Sequence, residues 1–213
     1  AVELTERYYS SIPARAIAPR EYAQEPAQNS PRTLIMSGDV PQTAVRMGFP
    51  MERYGTKGYF EADTISDILS NGMSARFYRR LLLGTDMFTE LDASIMGSEE
   101  PGLFLISAKL TGTGEDAEQR AIDTIMRELA LLGEEQPTPR ELRRCVNLLE
   151  SNRTFSNLNC LAVANTLAMA EMHNEHPDDF ILPYRAHTPE AISSAARQLF
   201  DPSKANTLIY RPI

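Results

Sequence analysis

The residues best equipped for chemistry are few. Two of the three histidines, His173 and His176, stand three apart among Glu171, Glu175, Asp178 and Asp179. On a helix that spacing puts both imidazoles on one face, as a pair of metal ligands needs. The inverted zinc-peptidase motif would read H-x-x-E-H, but in Met172-His173-Asn174-Glu175-His176 a methionine stands where the first ligand belongs. Pro177 and two aspartates then break the pattern, so the stretch reads as a polar helix end running into solvent. His187, just before Thr188 and Pro189, reads as a loop residue.

Other candidates are weaker. Gly112-Thr113-Gly114 has neither the spacing nor the lysine of a phosphate loop and reads as a turn, with Thr113 and Asp116 helping a helix start. No serine lies in G-x-S-x-G, and neither cysteine has a histidine near it in sequence. Cys145 and Cys160 are too few for a disulfide framework or a four-cysteine zinc site, and their apolar surroundings suggest buried, inert thiols. Arginines cluster at Arg76, Arg79 and Arg80 and again at Arg140, Arg143 and Arg144. Solvated helix faces are the simple reading. For the first cluster the functional alternative is a positive cavity lining that meets acidic or peptide-carbonyl groups.

Composition excludes several classes. Lys plus Arg is 21 against 29 Asp plus Glu, a net charge of −8, which argues against a phosphate-tracking, nucleic-acid-binding surface. No apolar run approaches membrane-spanning length, and no charged start leads into an apolar stretch as a secretory signal would. The chain opens Ala-Val-Glu-Leu without a methionine and is expected to be a processed or cut piece.

The elements that must position these residues follow from periodicity. Val2 to Tyr9 is a short helical scrap, and Pro13, Pro19, Pro26 and Pro31 mark an extended linker, so residues 1–31 are expected to be the end of a preceding domain and its linker. Residues 32–213 form the domain proper. Thr33 to Met36 and Gln42 to Met51 are strand-like, the latter setting Val45, Met47 and Phe49 opposite Ala44, Arg46 and Gly48. Phe60 to Leu69 is helical and stopped at Asn71-Gly72; Ser74 is placed to cap a second helix through Leu83. Phe88 to Met96 and Gly102 to Leu110 form a hairpin, the first strand setting Phe88, Glu90, Asp92 and Ser94 against Thr89, Leu91, Ala93 and Ile95. Helices follow over 115–132 and 139–150, the second opened by the Thr138-Pro139-Arg140-Glu141 capping box. Residues 158–172 are apolar almost all round, which predicts a central buried helix. Thr188-Pro189-Glu190 opens a helix to Phe200, and Asn206 to Arg211 is a closing strand. The order predicts an α+β fold, an antiparallel sheet with helices packed on one face.

One stretch carries a resemblance. Ile68-Leu69-Ser70-Asn71-Gly72-Met73-Ser74-Ala75-Arg76-Phe77-Tyr78-Arg79-Arg80-Leu81 resembles the L-x-G-G-x-S-S-R-L-Y-x-x-L segment of the insulinase-like zinc peptidase family, which includes pitrilysin and mitochondrial processing peptidase. Pro101 to Ile106 is similar to that family's second hairpin strand. Ile125 to Leu132 with Thr138 to Leu142 resembles its helix pair, Asn206 to Pro212 its closing strand, and Leu4 to Pro13 the end of its preceding domain.

The resemblance implies the C-terminal, noncatalytic half of a clamshell that closes on a peptide. H-x-x-E-H occurs nowhere in the chain, so no catalytic residue, cofactor or metal ligand is expected here, and zinc belongs to the missing half or a partner. In active members this half supplies an Arg and a following Tyr to the substrate. The Arg position falls at Leu82, Arg80 is close but out of register, and Phe88 sits near the Tyr position, keeping the ring without the hydroxyl. Arg80 and Phe88 are therefore the substrate-cavity candidates. The implied partners are a catalytic half or homologous subunit and a peptide substrate, with no nucleic acid and no membrane, and a homodimer of the isolated chain is an option. The compartment is left open, a bacterial periplasm or cytoplasm being expected ahead of a membrane. The alternative function is a noncatalytic structural partner that assembles with an active homologue.

Overall fold

In the computed structural model, which describes residues 1–16, 18, 23 and 25–213, strand alternation builds the fold. The linker expected before Arg32 falls partly outside the described residues, Pro19 included. β1 spans Arg32–Gly38, β2 Ala44–Met51, β3 Phe88–Met96, β4 Gly102–Leu110 and β5 Asn206–Pro212. β2 buries Val45, Met47, Phe49 and Met51 and turns Arg46 and Pro50 outward, as its alternation predicts. β4 does the same with Phe104, Ile106, Ala108 and Leu110. The sheet order is β1-β5-β2-β4-β3. The expected β3–β4 hairpin is present, and β4 and β5 flank β2 in antiparallel register. The α+β class holds, with one refinement: β5 enters between β1 and β2 and runs parallel to β1. Nearly the whole chain separates those two strands, so no tight turn fixes their relative direction.

Helices cover one face of this sheet. α1 (Val2–Tyr9) buries none of its residues. α2 (Lys57–Ser70) starts where Thr56 Oγ1 accepts the Tyr59 N–H at 3.3 Å, and it buries Ile65, Ile68 and Leu69. α3 (Glu115–Glu134) contributes Ala121, Ile125, Leu129 and Leu132 to the same core. α4 (Pro139–Ser156) opens with the predicted capping box: Glu141 N–H donates to Thr138 Oγ1 at 3.2 Å, and Thr138 N–H donates back to Glu141 Oε2 at 2.8 Å. After α5 (Cys160–His173) and the short α6 (Leu182–Arg185), α7 (Pro189–Leu199) is capped by Thr188 and buries Ile192 and Ala196. The Phe200 ring meets Phe49 and Phe104 edge-on at 5.3 and 5.1 Å, closing the core from α7 onto β2 and β4.

Four local expectations are corrected. α5 is not a central helix: among its residues only Ala170 is buried, and Leu161 and Met172 are 68% and 62% exposed. α4 already occupies the flank of α2, so α5 is left outside it. Cys160 at the start of α5 is therefore exposed, while Cys145 is buried as expected. Ser74 caps nothing. The chain instead forms a wide π-type turn over Phe77–Leu82, with Leu83 N–H bonded to Tyr78 O at 2.9 Å. In β3 a register shift between Phe88 and Glu90 breaks the simple alternation and turns Phe88 onto the same buried face as Leu91 and Ala93.

Candidate functional site

The sheet face away from the helices is bare. Pairing register aligns its outward residues in rows across the strands. One row runs Tyr210, Ala44, Lys109, Glu90; the next runs Leu34, Leu208, Arg46, Ser107, Asp92; the next runs Gly48, Leu105, Ser94. Beyond them lie Pro50, Leu103 and Met96. Lys109 Nζ and Glu90 Oε1 are 2.9 Å apart and both side chains are solvent-accessible. The face is thus a mixed surface, apolar with spaced charges and hydroxyls. Such a surface can take the side chains of an extended peptide and offers no nucleophile paired with a base.

The candidate side chains lie elsewhere. Phe88 is 5% exposed and belongs to the core. Leu82 is partly buried against that core. Arg80, in the π turn, donates from Nη1 to Glu128 Oε1 on α3 at 3.0 Å and from Nη2 to Oε2 of Glu135, just past the end of α3, at 2.9 Å. Arg76 is more enclosed. Its Nε donates to Glu141 Oε1 at 2.9 Å, and its Nη1 and Nη2 donate to the Glu135 carbonyl at 3.3 and 3.4 Å. Burial would raise the Glu141 carboxyl. Hydrogen bonds from Arg76 and Thr138, with the Arg76 charge, outweigh burial and hold it down at about 2. Arg76 is therefore neither a solvated residue nor a free positive lining: it pins the π turn to the start of α4. Arg144 likewise donates from Nη2 to the Asp67 carbonyl at 2.9 Å, joining α4 to the end of α2, while Arg79, Arg140 and Arg143 are exposed.

His173 is a packing residue. His173 packs its ring on Tyr54 with centroids 4.5 Å apart, and its Nε2 lies 3.3 Å from Glu99 Oε1 without making a hydrogen bond. It is thus more enclosed than a helix end running into solvent. Tyr54 Oη donates to Glu175 Oε2 at 3.1 Å, and burial followed by this bond pushes the Tyr54 hydroxyl up to about 12. His176 is exposed. Among the described residues no three His, Cys, Asp or Glu side chains are grouped to hold a metal ion. Gly114, at φ +89°, starts α3 without help from a side-chain cap, so neither Thr113 nor Asp116 has the capping role expected of it.

Sequence reasoning missed a polar seam between α2 and the segment around α6. His187 Nδ1 lies 2.9 Å from Thr64 Oγ1, and Tyr184 Oη donates to Asp63 Oδ2 at 2.7 Å. Burial lowers the His187 imidazole to about 4, helped by the Lys57 charge, and raises the Asp63 carboxyl despite the Tyr184 bond. Partners more than a hundred positions apart leave no local signal beyond the polar pair Asp63-Thr64 within α2. Beside this seam an open cleft of about 430 Å³ lies between α2 and β3, lined by Asp63, Asp67, Asp92 and three serines.

A mixed sheet, helix-covered on one side and bare on the other, defines an α+β domain. The family described as peptidase M16 inactive domain matches residues 1–149, and the chain belongs to it. The fold is similar to a protease from Helicobacter pylori at TM-score 0.84 and 21% identity, covering 99% of this chain and 51% of that one. It is similar to the peptidase M16 inactive domain from Pseudomonas fluorescens at TM-score 0.76 and 15% identity, covering 94% of this chain and 47% of that one. It is also similar to the first half of the periplasmic protease PqqL from Escherichia coli at TM-score 0.74 and 15% identity, covering 99% and 48%. The chain spans about half the length of these chains. No curated protein matches it. Among the described residues no helix is long and apolar enough to cross a membrane.

Proposed function

We propose that this chain is the zinc-free wall of a two-half zinc metalloendopeptidase. The observation that carries the reading is the bare five-stranded face on a domain of the inactive M16 class, in a chain that spans half of its relatives. The other half bears the H-x-x-E-H zinc site and closes over that face. Zinc bound there supplies an activated water. This chain confines the peptide, holds it near the reacting atoms and excludes bulk water. Phe88 acts by packing beneath the wall, and Arg80 by fixing the π turn at its edge. Residues 1–31, with α1 burying nothing, are the end of a preceding domain and a linker. Periplasm or cytoplasm of a bacterium suits this reading better than a membrane.

The test mixes this chain with the H-x-x-E-H-bearing half encoded with it and follows a quenched fluorescent peptide, with zinc measured by elemental analysis. Cleavage by the mixture alone, and no stoichiometric zinc in this chain, is the expected result. Tight zinc in this chain, or full activity of the catalytic half without it, overturns the proposal. A second reading, a noncatalytic partner of an active homologue, is favoured by one observation: apolar Leu82 and core-buried Phe88 stand near the positions where active members carry Arg and Tyr. Absence of H-x-x-E-H from the accompanying half would decide for it.

A further inference from the structure

A helix that is apolar on all sides belongs in a core, yet α5 is covered on its inner edge alone. There Arg153 Nη1 donates to Thr166 Oγ1 at 2.7 Å, and His173 packs against Tyr54. On the opposite side Leu161, Asn165, Ala168 and Met172 are all exposed. Their spacing of four, three and four matches that of a coiled-coil seam, and it reads the same in both directions. Two α5 helices laid antiparallel therefore set Leu161 against Met172 of the second copy and Asn165 against its Ala168. The small residues sit at the centre, where the axes must approach, and the large ones at the ends.

Charge and area agree with this arrangement. Glu171 is the one carboxylate of α5, and antiparallel pairing sends the two copies of it to opposite ends, where parallel pairing would set them side by side. Phe155 and Leu158, the latter 82% exposed, extend the stripe at the turn before α5. Together with Leu161, Met169 and Met172, each half or more exposed, they leave an apolar area on the order of that offered by one side of a standard interface.

We infer that the outer stripe of α5 docks on α5 of a second copy of this chain, antiparallel, about a two-fold axis. The choice of occupant rests on the reading above that the catalytic half closes over the bare sheet face. α5 is joined to α4 and to the Tyr54 loop, and on that reading a half seated on the sheet leaves its outer stripe for another partner.

The test is the mass of the 213-residue chain by light scattering and sedimentation equilibrium over 1–100 µM, a range of about a hundredfold chosen to bracket ordinary dimer affinities. The expected mass is that of a dimer. Ala168→Glu buries two charges at the centre of the seam and raises the dimer dissociation constant by ~100-fold or more. Its circular dichroism and melting temperature stay those of an exposed-site variant. Met96→Glu, on the bare sheet face, leaves the dimer intact. In a Cys160→Ser background, a mixture of Leu161→Cys and Met172→Cys chains cross-links on oxidation as heterodimer, and neither alone does. A monomer throughout the range overturns the inference and returns the stripe to the catalytic half. A dimer that survives Ala168→Glu overturns it in favour of another face, the β1 edge first. Neither result bears on the zinc and peptide assays above, so the two proposals fail separately.

Discussion

Replacing Arg76 by Met tests the central claim about the helical backing. Met keeps most of the aliphatic stem and removes the guanidinium. Arg76 is 6% exposed and gives four hydrogen bonds, two to the Glu141 carboxylate and two to the Glu135 carbonyl. Breaking a buried pair by removing one partner costs about 3–5 kcal/mol. Glu141 is one-fifth exposed and keeps the Thr138 N–H, so water and the cap recover part of that, leaving about 2–3 kcal/mol. For a chain of this size each kcal/mol moves the melting temperature by roughly 2–4 °C, and a fall of about 8 °C is expected at pH 7 by calorimetry.

The same pair fixes the pH dependence. The folded Glu141 carboxyl lies at about 2, below its ordinary 4.5. Its stabilisation is complete above that ordinary value and is lost as pH falls from 4.5 through 2. The gap between wild type and Arg76→Met is therefore widest at neutral pH and narrows in acid. Arg76→Met combined with Glu141→Gln costs less than the sum of the two single changes. A variant melting within about 1 °C of wild type at pH 7 refutes the reasoning, as does a gap that is the same at both ends of the acid range.

Three further outcomes follow from the buried groups. His187, lowered to about 4 by burial, favours the neutral form in the fold, so stability is full above pH 6.5 and is lost as pH falls toward 4; His187→Gln flattens that limb of a melting-temperature profile, and proton NMR of the wild-type ring gives a titration near 4. Phe88→Tyr adds a hydroxyl inside the core, costing about 1–3 kcal/mol by urea denaturation, whereas a neutral effect would place Phe88 at the surface. Cys160 reacts at once with a thiol reagent in the native chain, and Cys145, buried with its thiol pushed up to about 12, reacts only on unfolding; two fast equivalents would contradict the placement of α4.

Local signals carried much of the fold. The alternation of Val45, Met47 and Phe49, the Thr138 capping box and the turn between Phe88–Met96 and Gly102–Leu110 are each written within a dozen residues, and each appears in the structure. What could not be read depended on partners far along the chain. Arg76 meets Glu141 across 65 positions, and His187 meets Thr64 across 123. The β-bulge at Phe88 changes a face without changing composition. α5 shows the limit of periodicity most plainly. Its sequence reports that all sides are apolar, and an apolar side wants cover, but nothing local states whether the cover lies within the same chain.

The distribution of charge pairs separates the two faces of the domain. Arg76 with Glu141, Arg80 with Glu128 and Glu135, and Arg211 with Glu118 at 2.7 Å all lie on the helical side, where they join the π turn, α3, α4 and β5. Each has at least one partner that is largely buried, so each resists displacement by solvent. On the bare face Lys109 and Glu90 form an exposed pair, of a kind worth no more than about 1 kcal/mol and readily exchanged for a ligand's charge. Rigidity is thus concentrated behind the sheet, and the front keeps side chains that can yield to whatever lies on them. If the contribution of the domain is shape, as proposed, that asymmetry serves it: the backing holds five strands in register while the front can adapt to what lies on it.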